Sequence, residues 1–160
     1  MEFNHFDARG NAVMVDVSAK QKTMRTAVAE ALVEMSPELL AAIISGGTAK
    51  GDVLGVARLA GIQAAKRTPE LIPLSHPLAL HHVAVDFEPD SGSGRLSVHC
   101  TVRAFERTGV EMEAMTGAAL TALTVYDMCK GADKSITIGQ VRLLYKEGGK
   151  SGVYRREEGT

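Results

Sequence analysis

The stretch LIPLSHPLALHH (71–82) sets two prolines, a serine and three histidines in a leucine-rich run. Imidazole passes protons near neutral pH and also ligates metals. The segment therefore offers either an acid/base group on a rigid turn or a metal site. Pro73 and Pro77 flank His76 and restrict the backbone on both sides of it. The metal alternative finds little support. His81 and His82 are adjacent on an extended segment, so their side chains leave opposite faces and cannot share one ion. No HxxxH, HExxH or CxxC is present to build a tetrahedral site. His82 and His99 read as surface or sheet-face residues.

Other polar groups have spacings that suit an anionic ligand. Lys50 lies among Gly47, Gly51 and Gly55 where a helix is expected to begin. A helix N-terminus with a lysine fits a phosphate, and it fits a plain cap with a solvated lysine equally well. Glu111 and Glu113 share a face only in an extended segment; at the start of a helix, both favour its positive end. Asp127 and Lys130 are three apart at the end of a long helical pattern, the spacing of a surface ion pair. Tyr126, Met128 and Cys129 make that turn apolar, so the pair is expected to meet a pocket. GGKSG (148–152) looks like a phosphate loop, but GxxxxGK[ST] requires glycine at position 144, which is Leu144. It reads as a flexible segment from which Lys146 and Lys150 can reach an anion.

These groups need elements to position them. AVMVDVS (12–18) alternates and is expected to be the first strand. SPELLAAIISGG (36–47) is a helix with Ser36 as cap, Pro37 in its first turn and Gly46 at its end. A second helix is expected over 52–67, where Val53, Val56, Ala57, Ala60 and Ala64 recur at helical spacing. HHVAVDFEP and RLSVHCTVRAF, joined by DSGSG, form a hairpin: Val83, Val85 and Phe87 share one face, as do Leu96, Val98, Cys100, Val102 and Ala104. A long helix follows over 110–130, then the strand SITIGQVRLLYK. With the early helices merged into one crossover, the order is β-α-β-β-α-β. This is an α+β, ferredoxin-like pattern, an antiparallel sheet with helices on one face. The other face stays open unless a second subunit covers it. Residues 13–147 are expected to be one domain, after a flexible lead-in (1–12) and before a Gly-rich polar tail (148–160).

The bulk numbers narrow the function classes. The 160 residues, 45% hydrophobic, suffice for one domain with a core. With 18 Lys and Arg against 19 Asp and Glu, and no Trp, neither a basic field nor stacking platforms for nucleic acid are evident. No secretory signal or membrane-length apolar run is seen, and the two cysteines form no pair. A cytoplasmic protein with reduced thiols is expected.

MVDVSAK, KGDVLGVARLAGIQAAKRTPELIPLSHPL, TGVEMEA, YDMCK and GGKSG, in this order and at these intervals, closely resemble the cyclic pyranopterin monophosphate synthase family, the C proteins of molybdenum-cofactor biosynthesis. The resemblance runs from about Val13 to Gly152. It implies a lyase that turns 3′,8-cyclo-7,8-dihydroguanosine 5′-triphosphate, made by an upstream radical-SAM enzyme, into cyclic pyranopterin monophosphate with release of pyrophosphate. It implies a ferredoxin-like fold and a hexamer, a trimer of dimers. By the same resemblance Asp127 and Lys130 are catalytic, with Lys50 an essential lysine and His76 a catalytic and substrate-contacting group. Leu74, Ser75 and His76 form one substrate motif; Met112 and Glu113, with Glu111 beside them, form another. Lys20, Arg25, Lys66 and Lys146 are further basic residues of the pocket. No resident cofactor or metal is implied, and Mg²⁺ is the one ion the triphosphate could bring. Because Glu113 and Asp127 stand 14 positions apart on one expected helix, roughly 21 Å, the sequence favours a site shared between subunits. The rival class is a ligand-binding regulatory module, which would need the lysines but not the Asp127–Lys130 pair.

The family commonly carries cysteine where this chain has Ser75. If the hydroxyl only positions substrate, Ser75→Cys should be tolerated and Ser75→Ala should cost about 1 kcal/mol, one hydrogen bond. Steady-state kinetics check this; a loss of several orders of magnitude in Ser75→Ala would make Ser75 a group that takes part in the chemistry.

Overall fold

The computed structural model describes residues 5–48 and 51–157. Its elements, in chain order, are β1 (Thr23–Glu34), α1 (Pro37–Ile44), α2 (Val53–Lys66), α3 (Thr68–Leu71), β2 (His82–Asp90), β3 (Arg95–Glu106), α4 (Glu111–Cys129), β4 (Thr137–Glu147) and β5 (Tyr154–Arg155). The five strands form one antiparallel sheet in the order β2-β3-β1-β4-β5. The fold is α+β and ferredoxin-like, with β5 added beside β4. Helix α4 packs on β1, β3 and β4, and α2 packs on α4 and β2.

The hairpin lies where alternation places it. Val83, Val85 and Phe87 register with Val102, Cys100 and Val98. The inward set Leu96, Val98, Cys100, Val102 and Ala104 is fully buried. Cys100 and Cys129 are both buried. Burial, helped by the charge of Asp86, pushes the Cys100 thiol up to about 12, so it serves as a packing group.

The first strand is not where alternation predicts it. Among the described residues AVMVDVS joins no ladder, and its one pairing is a bridge from Ala12 to Phe6. The strand is TMRTAVAEALVE, whose alanines, glutamates and leucine favour helix in isolation. It becomes the central strand because ladders hold it on both sides, and because Ala27, Ala29, Ala31 and Val33 fit under α4, fully buried opposite Val102, Cys100, Val98 and Leu96. Pairing partners, not local preference, decide this segment.

The helix starts follow their capping residues. The Ser36 hydroxyl accepts the Leu39 N–H at 3.2 Å, with Pro37 next in line. Asp52 accepts the Gly55 N–H at 2.8 Å and so occupies the start of α2 with a carboxylate of the chain itself. Helix α1 stops at Ile44, with Ser45 as its cap, just before the Gly46 expected to end it. On β4, register shifts and a positive φ of 49° at Gln140 mark a bulged segment. The sheet face away from the helices is open. Met24 and Phe105, cross-strand neighbours, are 56% and 48% exposed there. On the same face Glu30 is buried between Arg142, 2.8 Å away, and His99, 3.4 Å away.

The crossing of α2 and α4 is built from small residues. A methyl group on Gly61 would run into the Thr121 hydroxyl and lie 2.9 Å from the Gly117 carbonyl. That hydroxyl already donates to the same carbonyl, at 2.7 Å. Alanine improves helix propensity over glycine by ~1 kcal/mol, but overpacking costs about 1–3 kcal/mol. Gly61→Ala is therefore expected to lower the midpoint of urea unfolding; a raised midpoint would show that the two helices part without cost.

Candidate active site

Three segments converge on a cavity of about 740 Å³, a size that suits a small-molecule ligand. The proline-flanked turn contributes Leu74, Ser75 and His76; the approach to α4 and its first turn contribute Thr108, Gly109, Glu111, Met112 and Glu113; the chain before β1 contributes His5, Val15, Val17 and Lys20. The sequence-predicted motifs around His76 and Glu113 thus share one wall system. His5, Val15, Val17, Thr108 and Gly109 were not predicted. The signal for the two valines was present, since MVDVS alternates, but alternation also describes a strand.

The turn is set by its prolines. Ser75 N–H donates to Ile72 O at 3.1 Å, closing a four-residue turn with Pro73 second. His76 follows directly, and its Nε2 lies 2.6 Å from the Val15 carbonyl oxygen. Below it, the Thr68 hydroxyl turns back to donate to Ala65 O at 2.9 Å and ties this connection to the end of α2.

Helix α4 begins without a side-chain cap, with Glu111 and Glu113 in its first turn. The two carboxyls meet different surroundings. Glu111 forms an ion pair with Lys146 at 2.5 Å. Glu113 is only 2% exposed. Burial pushes its carboxyl up to about 7; a backbone hydrogen bond pulls the other way, and the neighbouring Glu111 charge adds to the rise. A carboxyl that titrates near neutrality, on a cavity that also carries an imidazole, is equipped for proton transfer.

The basic residues take separate places. Lys20 lines the cavity, and its backbone carbonyl accepts the Arg107 Nε–H at 3.0 Å. Lys146, on β4, reaches the cavity through Glu111 rather than by lining it. Arg25 donates to the carbonyls of Glu106 and Arg107 at 3.3 and 3.1 Å, so it braces the loop leading to Glu111. The GGKSG segment is the seat for that brace. Gly148 and Gly149 have φ of 102° and 72°; a side chain on the first would strike the Met24 carbonyl, and one on the second the Arg25 guanidinium. Lys66 is exposed in the last turn of α2 and is not part of the cavity wall. Lys50 lies outside the described residues.

Asp127 and Lys130 stand elsewhere. They form an ion pair at 2.6 Å near the other end of α4, and the Asp127 carboxylate raises the Lys130 ammonium. Their side chains are 64% and 52% exposed. Helix α4 is continuous from Glu111 to Cys129. Fourteen residues at 1.5 Å each separate the Glu113 and Asp127 backbones by roughly 21 Å. Among the described residues, no group of three or more His, Cys, Asp or Glu could hold a metal ion, and no helix is long and apolar enough to cross a membrane.

Fold and site together define a ferredoxin-like α+β domain with a small-molecule cavity whose walls carry an imidazole, a near-neutral carboxyl and lysine. The chain belongs to the MoaC family, which it matches over residues 14–149. It is 80% identical over 159 residues to a protein of Pelobacter propionicus named cyclic pyranopterin monophosphate synthase, covering 99% of both chains. A protein of the same name from Geobacter sulfurreducens is 70% identical over 159 residues, again covering 99% of both. One from Rhodospirillum rubrum is 59% identical over 150 residues, 94% of this chain and 90% of that one.

The raised Glu113 carboxyl has a consequence for stability. Between the ordinary 4.5 and about 7, the folded chain keeps a proton that the unfolded chain has lost. Stability therefore falls as pH rises through this window and is fully reduced above it. Glu113→Gln cannot ionise and should escape the penalty. Relative to the unmodified chain it should gain on the order of 3 kcal/mol between pH ~4.5 and pH ~8. Denaturant titrations at the two pH values check this; an equal difference at both would mean the Glu113 carboxyl titrates in the folded protein as it does in the unfolded chain.

Proposed function

We propose that this chain is a cyclic pyranopterin monophosphate synthase, converting 3′,8-cyclo-7,8-dihydroguanosine 5′-triphosphate to cyclic pyranopterin monophosphate and pyrophosphate. The observation that carries the reading is the meeting of the LSH turn and the start of α4, distant in sequence, on one cavity, in a chain that matches synthases of this name from end to end. The reaction breaks the bond between the α- and β-phosphates as the α-phosphate closes onto the sugar-derived ring, and pyrophosphate leaves. It needs cations for the triphosphate and groups that move protons while the ring rearranges.

Each need has candidates in the chain. Lys20 on the cavity wall and Lys50 would hold phosphate oxygens, and any Mg²⁺ would arrive with the triphosphate. Ser75 and the first turn of α4 would orient the pterin precursor. His76 and Glu113 would exchange protons with it at one end of the site. Asp127 and Lys130 would complete the site from a neighbouring subunit, because 21 Å of rigid helix keeps them from serving the same cavity within one chain. This requires an oligomer, for which the resemblance suggests a trimer of dimers with substrate bound across subunit contacts.

Purified protein is expected to release one pyrophosphate per cyclic triphosphate consumed. Asp127→Ala and His76→Ala proteins should each be inactive. Mixed and allowed to exchange subunits, they should regain part of the activity, since some contacts then carry one intact site. Native mass spectrometry verifies exchange and pyrophosphate release reads activity. Exchange without recovery would rule out the shared site.

A further inference from the structure

We infer that the backbone carbonyl of Val15 is a positioning group for His76: it holds the imidazole as the Nε2–H tautomer and leaves Nδ1 as the nitrogen that exchanges a proton with a bound molecule. The inference rests on the activity proposed for this cavity and carries it from a residue to an atom.

The chemistry of the contact fixes the tautomer. A carbonyl oxygen has lone pairs and no proton to give, so a 2.6 Å contact with Nε2 requires that Nε2 carry the hydrogen. Neutral imidazole has one N–H, so the lone pair then belongs to Nδ1. Among the described residues, Nδ1 has no hydrogen-bond partner. His76 lines the same cavity as Glu113, the buried carboxyl. One wall group thus presents a lone pair at a defined atom, and another titrates near neutrality.

The carbonyl can do this because its segment is held in place without being part of the sheet. Residues 5–13 fold back on themselves: Val13 N–H donates to His5 O at 2.9 Å, and Asp7 accepts from the N–H groups of Arg9 and Asn11 at 2.9 Å each. Beyond Val15, Asp16 accepts the Ser18 N–H at 2.8 Å and Val17 O accepts the Lys20 N–H at 3.0 Å. Arg107 then fastens the Lys20 carbonyl to the end of β3. The alternation of MVDVS acquires a use here. Val15 and Val17 are half-buried on the cavity wall while Met14 and Asp16 face outward. The extended backbone offers its Val15 carbonyl to a side chain rather than to a neighbouring strand.

The test reads the ring nitrogens directly. In protein labelled with ¹⁵N in its histidine rings, two-bond ¹H–¹⁵N correlations should show His76 with Nε2 protonated and Nδ1 bare. Replacing the Val15–Asp16 amide by an ester keeps both side chains but weakens the Val15 carbonyl as an acceptor. It should move the His76 Nε2 signal and lower kcat about fivefold, the worth of one hydrogen bond, with KM nearly unchanged. His76→Gln places an amide N–H where Nε2–H was. It should keep the hydrogen-exchange protection of residues 13–18 yet lose about 100-fold or more in kcat, as expected for loss of an acid/base group. A dominant Nδ1–H tautomer, an ester variant whose ring signals do not move, or a His76→Gln protein that keeps its kcat would each overturn the inference. A lowered melting temperature in the ester variant with unmoved ring signals would show Val15 to be structural only. If the unmodified protein releases no pyrophosphate, the proposed activity fails, while the ring spectrum still decides the tautomer.

Discussion

The close seat of α4 on the sheet is the constraint from which the rest follows. Ala114, Ala118 and Ala122 are fully buried, and the sheet beneath answers with Ala27, Ala29 and Ala31 of β1. Gly117 brings the helix so near that a methyl there would lie 2.5 Å from the Cys100 sulfur. Small side chains on both surfaces let backbones approach and leave nothing soft between them. A helix seated this way cannot pivot. Its first turn lines the cavity together with the proline-flanked turn, and its last turn lies at a set distance along the helix.

That rigidity gives the site its electrostatic character. Glu113 is desolvated because its side chain is buried in the first turn of α4, and among the described residues no ion pair to it is formed. Glu111, two residues earlier, keeps a cation in Lys146 because β4 runs alongside. Arg25 serves neither carboxyl. It spends its donors on two backbone carbonyls just upstream, and the paired glycines at 148 and 149 exist to make room for it. Two adjacent carboxyls in unlike surroundings are a recurrent way for one site to hold both a proton donor and a fixed charge.

How far the sequence revealed this depended on whether the decisive contact was local. The β2–β3 hairpin was legible because alternation and a glycine-rich turn both lie within 25 residues. The His76 turn was legible from its prolines, and the separation of Glu113 from Asp127 from counting helical residues. β1 was not legible. Its alanines and glutamates carry no strand signal, and only β3 and β4, distant in sequence, make it one. The place of Val15 was hidden for another reason: it acts through a carbonyl that every residue has, so no side-chain type could mark it. Arg25 and Lys146 were named as basic residues of the pocket from the resemblance, while their partners, two carbonyls and Glu111, became visible only with the fold.

The margins of the sheet bear on how the protein behaves in a crowded solution. An unpaired strand edge invites another chain to continue the ladder. Here neither outer strand offers a clean run. β2 carries Asp86, Glu88, Pro89 and Asp90 along its length, so one edge mixes negative charge with a residue lacking an N–H. On the far side, β5 and Arg156 occupy the end of β4, and the left-handed Gln140 breaks the regularity of what remains. Lateral, amyloid-like growth is thereby discouraged at both borders.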